Sequence, residues 1–101
     1  MQIYKVKVSR AVSSDLDELA RFISAMYRLE SGHNYVNRIM GQLAALSYTA
    51  DIYKNCSYAA ARRIHQEAKI LSIMNHRWTV IFHIETDTVI VDRILPSKMM
   101  K

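Results

Sequence analysis

Side chains able to carry chemistry are thinly spread along this chain. The four histidines, His33, His65, His76 and His83, form no close-spaced ligand pattern, and Cys56 is the only cysteine. A metal centre is therefore not written into the spacing, and no metal or other cofactor is expected. No glycine-rich phosphate loop, Ser/His/Asp order or paired-carboxylate motif is present. His76 stands out because Arg77 follows it at a turn, placing an imidazole, a side chain able to take up or give a proton, beside a fixed cation. Arg93 also stands out, because it interrupts an apolar run, and a charge on a central strand must be paired, solvated or functional. Its neighbour Asp92 points to the opposite face, so the two are not expected to pair directly. Among the other cations, Arg62 and Arg63 with Lys69, and Arg21, Arg28 and Arg38, read as solvated faces. His33 falls in a turn between helices, and His83 is expected on a polar sheet face beside Thr79.

The elements that must position these residues follow from periodicity. Gln2 to Ser9 alternates, with Tyr4, Val6 and Val8 on one face and Lys5 and Lys7 on the other, which predicts a strand. Ser13 or Ser14 offers a helix cap, followed by Asp15, Asp17 and Glu18 as first-turn acids suited to the helix dipole. Val12, Leu16, Leu19, Ile23 and Met26 recur at three and four, forming one apolar stripe, with Gly32 as the expected stop. A second helix from about Asn34 carries Val36, Ile39, Met40, Leu43 and Leu46. Residues 48–65 show no sustained period beyond a short helix at about Tyr58 to His65. Three strand-like runs close the chain: Lys69 to Met74, Arg77 to Ile84 and Thr88 to Leu95, separated by Asn75-His76 and by Glu85-Thr86-Asp87. In the middle run Trp78, Val80, Phe82 and Ile84 share a face.

The order is β-α-α-β-β-β, an α+β chain. Neither helix can bury its stripe alone, and the sheet has one strongly apolar face. A helix hairpin over about Ser13 to Ser47, packed in a second layer on an antiparallel sheet, satisfies both. The packed face should include Val6, Val8, Leu16, Leu19, Ile23, Ile39, Leu43, Val80 and Phe82. At 101 residues, residues 1–101 are expected to be one domain. No apolar run approaches a membrane span, the first residues are unlike a secretory signal peptide, and a lone cysteine suits the cytoplasm. The net charge of +5 suits an acidic protein partner, a nucleic acid or the ribosome.

Tyr4-Lys5-Val6-Lys7-Val8-Ser9, the DLDEL…FI helix at Asp15 to Ile23, the aromatic strand Trp78 to Ile84 and DTVIVDRIL at Asp87 to Leu95 resemble, in that order, the RelE/ParE superfamily of bacterial toxins. The resemblance implies a two-layer RelE/ParE-like fold, with the N-terminal strand beside the last one. It also implies a toxin of a type II toxin–antitoxin pair, held inactive by a cognate acidic antitoxin. RelE-like members cut messenger RNA on the ribosome, using the RNA 2′-hydroxyl and a protein proton acceptor, proton donor and cation cluster. In this chain the corresponding set is His76, Arg77, Arg93 and Lys98. Met74 stands where such ribonucleases tend to carry an arginine, and no aromatic residue or histidine follows His83. These departures rank a ParE-like, non-enzymatic inhibitor of DNA gyrase first. A ribosome-dependent ribonuclease, the reading that requires direct contact with nucleic acid, comes second, and a non-toxic relative that keeps antitoxin binding comes third. Arg21, Arg28, Arg38, Arg77, Arg93 and Lys98 are the candidate contacts to antitoxin or target.

Overall fold

Ser9 ends the first strand and starts the first helix. Its Oγ accepts the Val12 amide at 3.2 Å, which caps the helix, and donates to the Asp92 carbonyl at 2.9 Å, which ties the cap to the last strand. The computed structural model describes residues 3–99. Along them lie β1 (Lys5–Val8), α1 (Arg10–Met26), α2 (Leu29–Ala44), α3 (Leu46–Thr49), a 3₁₀ turn (Ala50–Ile52), α4 (Ala59–Arg62), β2 (Lys69–Ile73), β3 (Trp78–Glu85), β4 (Thr88–Pro96) and a final 3₁₀ turn (Ser97–Met99). Among the described residues no helix is long and apolar enough to cross a membrane. Of the expected first strand, Gln2 lies outside the described residues.

The sheet order is β1-β4-β3-β2. The last three strands form an antiparallel meander, and β1 lies beside β4, as the resemblance implies. That outer pair is parallel, so the sheet is mixed. A chain that leaves β1 and returns only after a helical hairpin has no tight turn to force an antiparallel partner. The α1–α2 hairpin covers one face. Leu16, Ile39, Leu43, Val80 and Phe82 are buried there, with Val6, Val8 and Leu19 packed against them, as the periodicity required, whereas Ile23, expected with them, is only half-buried and lies outside this cluster. Phe82 is fully buried and meets Tyr53 edge-on at 5.7 Å between ring centroids.

Several local expectations are corrected. The α1 cap is Ser9 in place of Ser13 or Ser14, so Asp15, Asp17 and Glu18 lie beyond the first turn, which holds no acidic residue. Gly32 does not stop a helix: it lies inside α2, which begins at Leu29 rather than near Asn34. A Cβ at Gly32 would overlap the Ala20 carbonyl oxygen and Ser24 Oγ, so this glycine marks a close approach of the two helices. Met26 and Met40 are exposed, leaving the buried stripes narrower than their periodicity suggested.

The largest correction concerns the second face of the sheet. Thr79 to His83 are buried in unbroken succession, so β3 is covered on both sides. Residues 55–68 wrap this back face, where Ala61, Ala68 and Ile81 are fully buried beside Cys56, Ile64, Ile70 and Leu95. His83 accordingly sits at 5% exposure, not on an open polar face. A bulge between Ile81 and Phe82 leaves Asp92 without a cross-strand partner: Ile81 pairs with Arg93 and Phe82 with Val91. Bulges re-aim side chains, and this one brings the Asp92 carboxylate to His83.

Candidate functional site

Asp15, Leu19, Phe22 and Met26 follow one another at spacings of four, three and four, which lines them along one flank of α1. That flank and the start of β3 enclose an open groove of about 760 Å³. Leu19, Phe22, Ile23, Met26, Tyr27, Tyr35, Trp78 and Pro96 supply its apolar lining, and His76, Arg77, Ser97 and Lys98 its polar lining. Phe22, Met26 and Tyr27 are each more than half exposed, a cluster of large apolar side chains that a surface helix does not normally leave in water. Trp78 is held in place because its indole N–H donates to the Tyr35 hydroxyl at 2.9 Å, linking β3 to α2.

The basic residues arrive from two chain segments tied together. Met74, Asn75 and His76 all take left-handed φ values, 52°, 57° and 65°. A run of three non-glycine residues in that region persists only where its surroundings hold it. Here Gln42 of α2 accepts the Met74 amide at 3.0 Å, and its side-chain amide reaches the Met74 sulfur at 3.1 Å. The Arg77 carbonyl accepts the Ser97 amide at 3.0 Å, which sets Lys98 close to the turn. Among the described residues the side chains of His76, Arg77 and Lys98 take part in no hydrogen bond or ion pair, leaving three donors facing the groove.

The groove continues at both ends. A cleft sharing Leu19, Phe22, Trp78 and Pro96 adds Asp15, Glu18 and Arg93. Another, sharing Ile23, Met26, Tyr27 and Tyr35, adds Arg28 and Ser31. Arg93 Nε is 4.0 Å from Asp15 Oδ2, with both side chains 42% exposed, so the pair is loose and weakly stabilising. As expected from their adjacency, Arg93 and Asp92 do not pair. The fold thus gathers His76, Arg77, Lys98, Arg93 and Arg28 along one channel. Arg21 and Arg38 stand apart: Arg21 lines smaller clefts with His33, and Arg38 is exposed on α2.

The family model for the ParE toxin of the type II toxin–antitoxin system parDE matches residues 6–100. The chain belongs to the ParE toxin family. No curated protein matches it significantly. Among solved structures, the chromosomal ParDE TA system from P. aeruginosa is similar in fold, with a TM-score of 0.75 at 16% identity, covering 93% of this chain and 96% of that chain. Met74 is buried at 7% exposure, is held by Gln42 and does not line the groove.

A second cluster, on the back face, was missed in the sequence. His83 Nδ1 lies 2.6 Å from Asp92 Oδ2 and Nε2 lies 3.1 Å from Glu85 Oε1. The His65 ring stacks on it at 3.8 Å with 5° between the planes. Burial of the His83 ring opposes its charge, but the hydrogen bonds and charges of Asp92 and Glu85 outweigh that, and its pKa is raised. His65, His83 and Glu85 present possible ligand atoms within 4.8 Å of one another. Parallel rings cannot aim two in-plane lone pairs at one ion, so this is a poor metal cage as it stands. The His83-Ile84-Glu85 alternation signals a shared face for the first pair. Nothing in the spacing signals His65 or Asp92.

Proposed function

We propose that this chain is the toxin of a type II toxin–antitoxin pair, that it inhibits DNA gyrase by binding rather than by catalysis, and that a cognate acidic antitoxin neutralises it in the cytoplasm. The observation that carries the reading is the ParE toxin family match over residues 6–100. The groove supports it, because aromatic and aliphatic side chains dominate its lining, as in the core of a protein–protein contact. In this reading an antitoxin segment lays apolar side chains along Phe22, Met26 and Trp78 while its acids meet Arg28, Arg77, Arg93 and Lys98. Such charge pairs raise the association rate more than the final affinity. Arg21 and Arg38 then contact flanking antitoxin residues along the hairpin. An extended antitoxin piece adds to the outer edge of β2, which beyond the Asn55–Lys69 bridge has no partner strand among the described residues.

A second reading, a ribosome-dependent ribonuclease, draws on one observation: His76, Arg77 and Lys98 line the same groove. Two assays on purified protein separate the readings. Gyrase supercoiling should be inhibited and ribosome-bound messenger RNA left intact. Cleavage that disappears in His76→Ala, with supercoiling unaffected, would reverse the order. Induction of the chain alone should arrest growth, and co-expression of its antitoxin should restore it. Unimpeded growth despite soluble expression would favour a non-toxic relative that keeps antitoxin binding.

A further inference from the structure

The segment over the back of the sheet is held by few apolar contacts. Its fully buried members there are two alanines, Ala61 and Ala68, set against Ile81. Local stability follows buried apolar contact, so this cover belongs to the low end of the domain's range. Polar links matter correspondingly more. The Cys56 amide donates to the Ala68 carbonyl at 2.6 Å, Lys69 Nζ donates to the Tyr53 carbonyl at 2.8 Å and to Asn55 Oδ1 at 3.0 Å, and His65 stacks on His83.

We propose that residues 55–68 form a proton-latched cover, closed while His83 is an imidazolium gripped by Asp92 and Glu85 and capped by His65, and loosened when His83 is neutral. A neutral imidazole has one N–H and one lone pair, whereas His83 has a carboxylate oxygen at each ring nitrogen. Only the imidazolium satisfies both. His65 is oriented by its own hydrogen bond: its Nδ1 accepts the Glu67 amide at 3.0 Å. The face of an aromatic ring lying flat on a cation is attracted to it, and that attraction goes when the charge goes.

The groups facing His83 come from each neighbouring element. Asp92 belongs to β4, Glu85 to β3 itself, and His65 to the cover. Its register partner on β4 is the uncharged Ile90, and Lys69 on β2, paired with Phe82, turns its ammonium to Tyr53 and Asn55. No cation among these competes with the proton. Loss of the proton sets a lone pair against a carboxylate, and Glu85, with its side chain 62% exposed, is the partner free to leave. The latch holds in full below the ordinary histidine value and fails as pH rises through the higher folded one. Opening uncovers Ile81 and releases the Asn55–Lys69 bridge, which lengthens the free edge of β2.

The test is amide hydrogen exchange of the purified full chain from about pH 5.5 to about 8.5, corrected for base catalysis, beside a ¹⁵N NMR titration of His83. Protection across residues 55–68 should fall by up to roughly tenfold for each pH unit between the ordinary histidine value and the raised folded value of His83, then level off above it, while α1 and β4 stay protected. His83→Gln should remove the pH dependence. His65→Phe should keep it, because a neutral aromatic still caps the cation, and His65→Ala should lower protection at every pH. Wild-type protection that ignores pH, or a His83 ring with a single proton at the acid end, would overturn the proposal. So would Zn²⁺ binding that unstacks the rings, which would make the cluster a metal site.

Discussion

Two glycines of α2 should respond to the same substitution with opposite signs. In a helix interior, alanine is favoured over glycine by about 1 kcal/mol. At Gly41 nothing lies within 4 Å of the added Cβ, so Gly41→Ala should realise that gain. At Gly32 the new Cβ would overlap the Ala20 carbonyl oxygen and Ser24 Oγ and lie 2.9 Å from the Ala20 carbonyl carbon. The hydroxyl can rotate, but the backbone of α1 cannot. Restoring carbon–carbon contact to about 3.5 Å requires the helices to part by at least roughly 0.6 Å. Overpacking of this kind costs about 1–3 kcal/mol. The propensity gain is also smaller here, because Gly32 sits near the start of α2. The net expectation is a loss of about 1–2 kcal/mol for Gly32→Ala, which separates the two variants by roughly 2–3 kcal/mol. In a domain of this size each kcal/mol moves Tm by about 4–8 °C, so urea denaturation and thermal melts should both resolve the difference. A Gly32→Ala protein as stable as Gly41→Ala would refute the close approach and with it the stated geometry of the hairpin.

Two further outcomes are expected. Phe82→Ala should cost about 3–5 kcal/mol in chemical denaturation, because it empties the centre of the main core, and a loss below about 1 kcal/mol would contradict its burial. His76→Gly relieves a left-handed residue, worth about 1–2 kcal/mol, against about 0.5–1 kcal/mol of added unfolded-state entropy. It should therefore be neutral or slightly stabilising in thermal melts. A destabilised His76→Gly variant would mean that the imidazole makes contacts not visible in the groove.

Much of the groove's composition was legible in the sequence, but its assembly was not. His76, Arg77, Arg93 and Lys98 stand out as a set in the sequence, and the fold brings them into one channel with Arg28. Phe22 escaped notice because it lies off the buried stripe of α1, and an exposed aromatic gives no periodic signal. The His83 cluster escaped for a different reason. His65, His83 and Asp92 are far apart in sequence, and their meeting depends on an irregular segment folding over the sheet and on a bulge in β4.

By itself, the sequence determined the element order, the faces of β3 and the helix stripes, because periods of two and of three to four record which side of each element must leave water. Tertiary structure alone decided the rest. Ser9, not Ser13, caps α1 because its hydroxyl also meets the Asp92 carbonyl. Gly32 reads as a stop in isolation, yet it continues α2, because Ala20 of the facing helix leaves no room for a side chain there. His83 looks like a surface residue, since Thr79 and His83 alternate with apolar neighbours. It is buried because a segment with no period of its own covers it, and because two carboxylates and a second imidazole make that burial tolerable. Local pattern reports which atoms avoid water, but contacts between distant segments settle how polar groups are satisfied once they are inside.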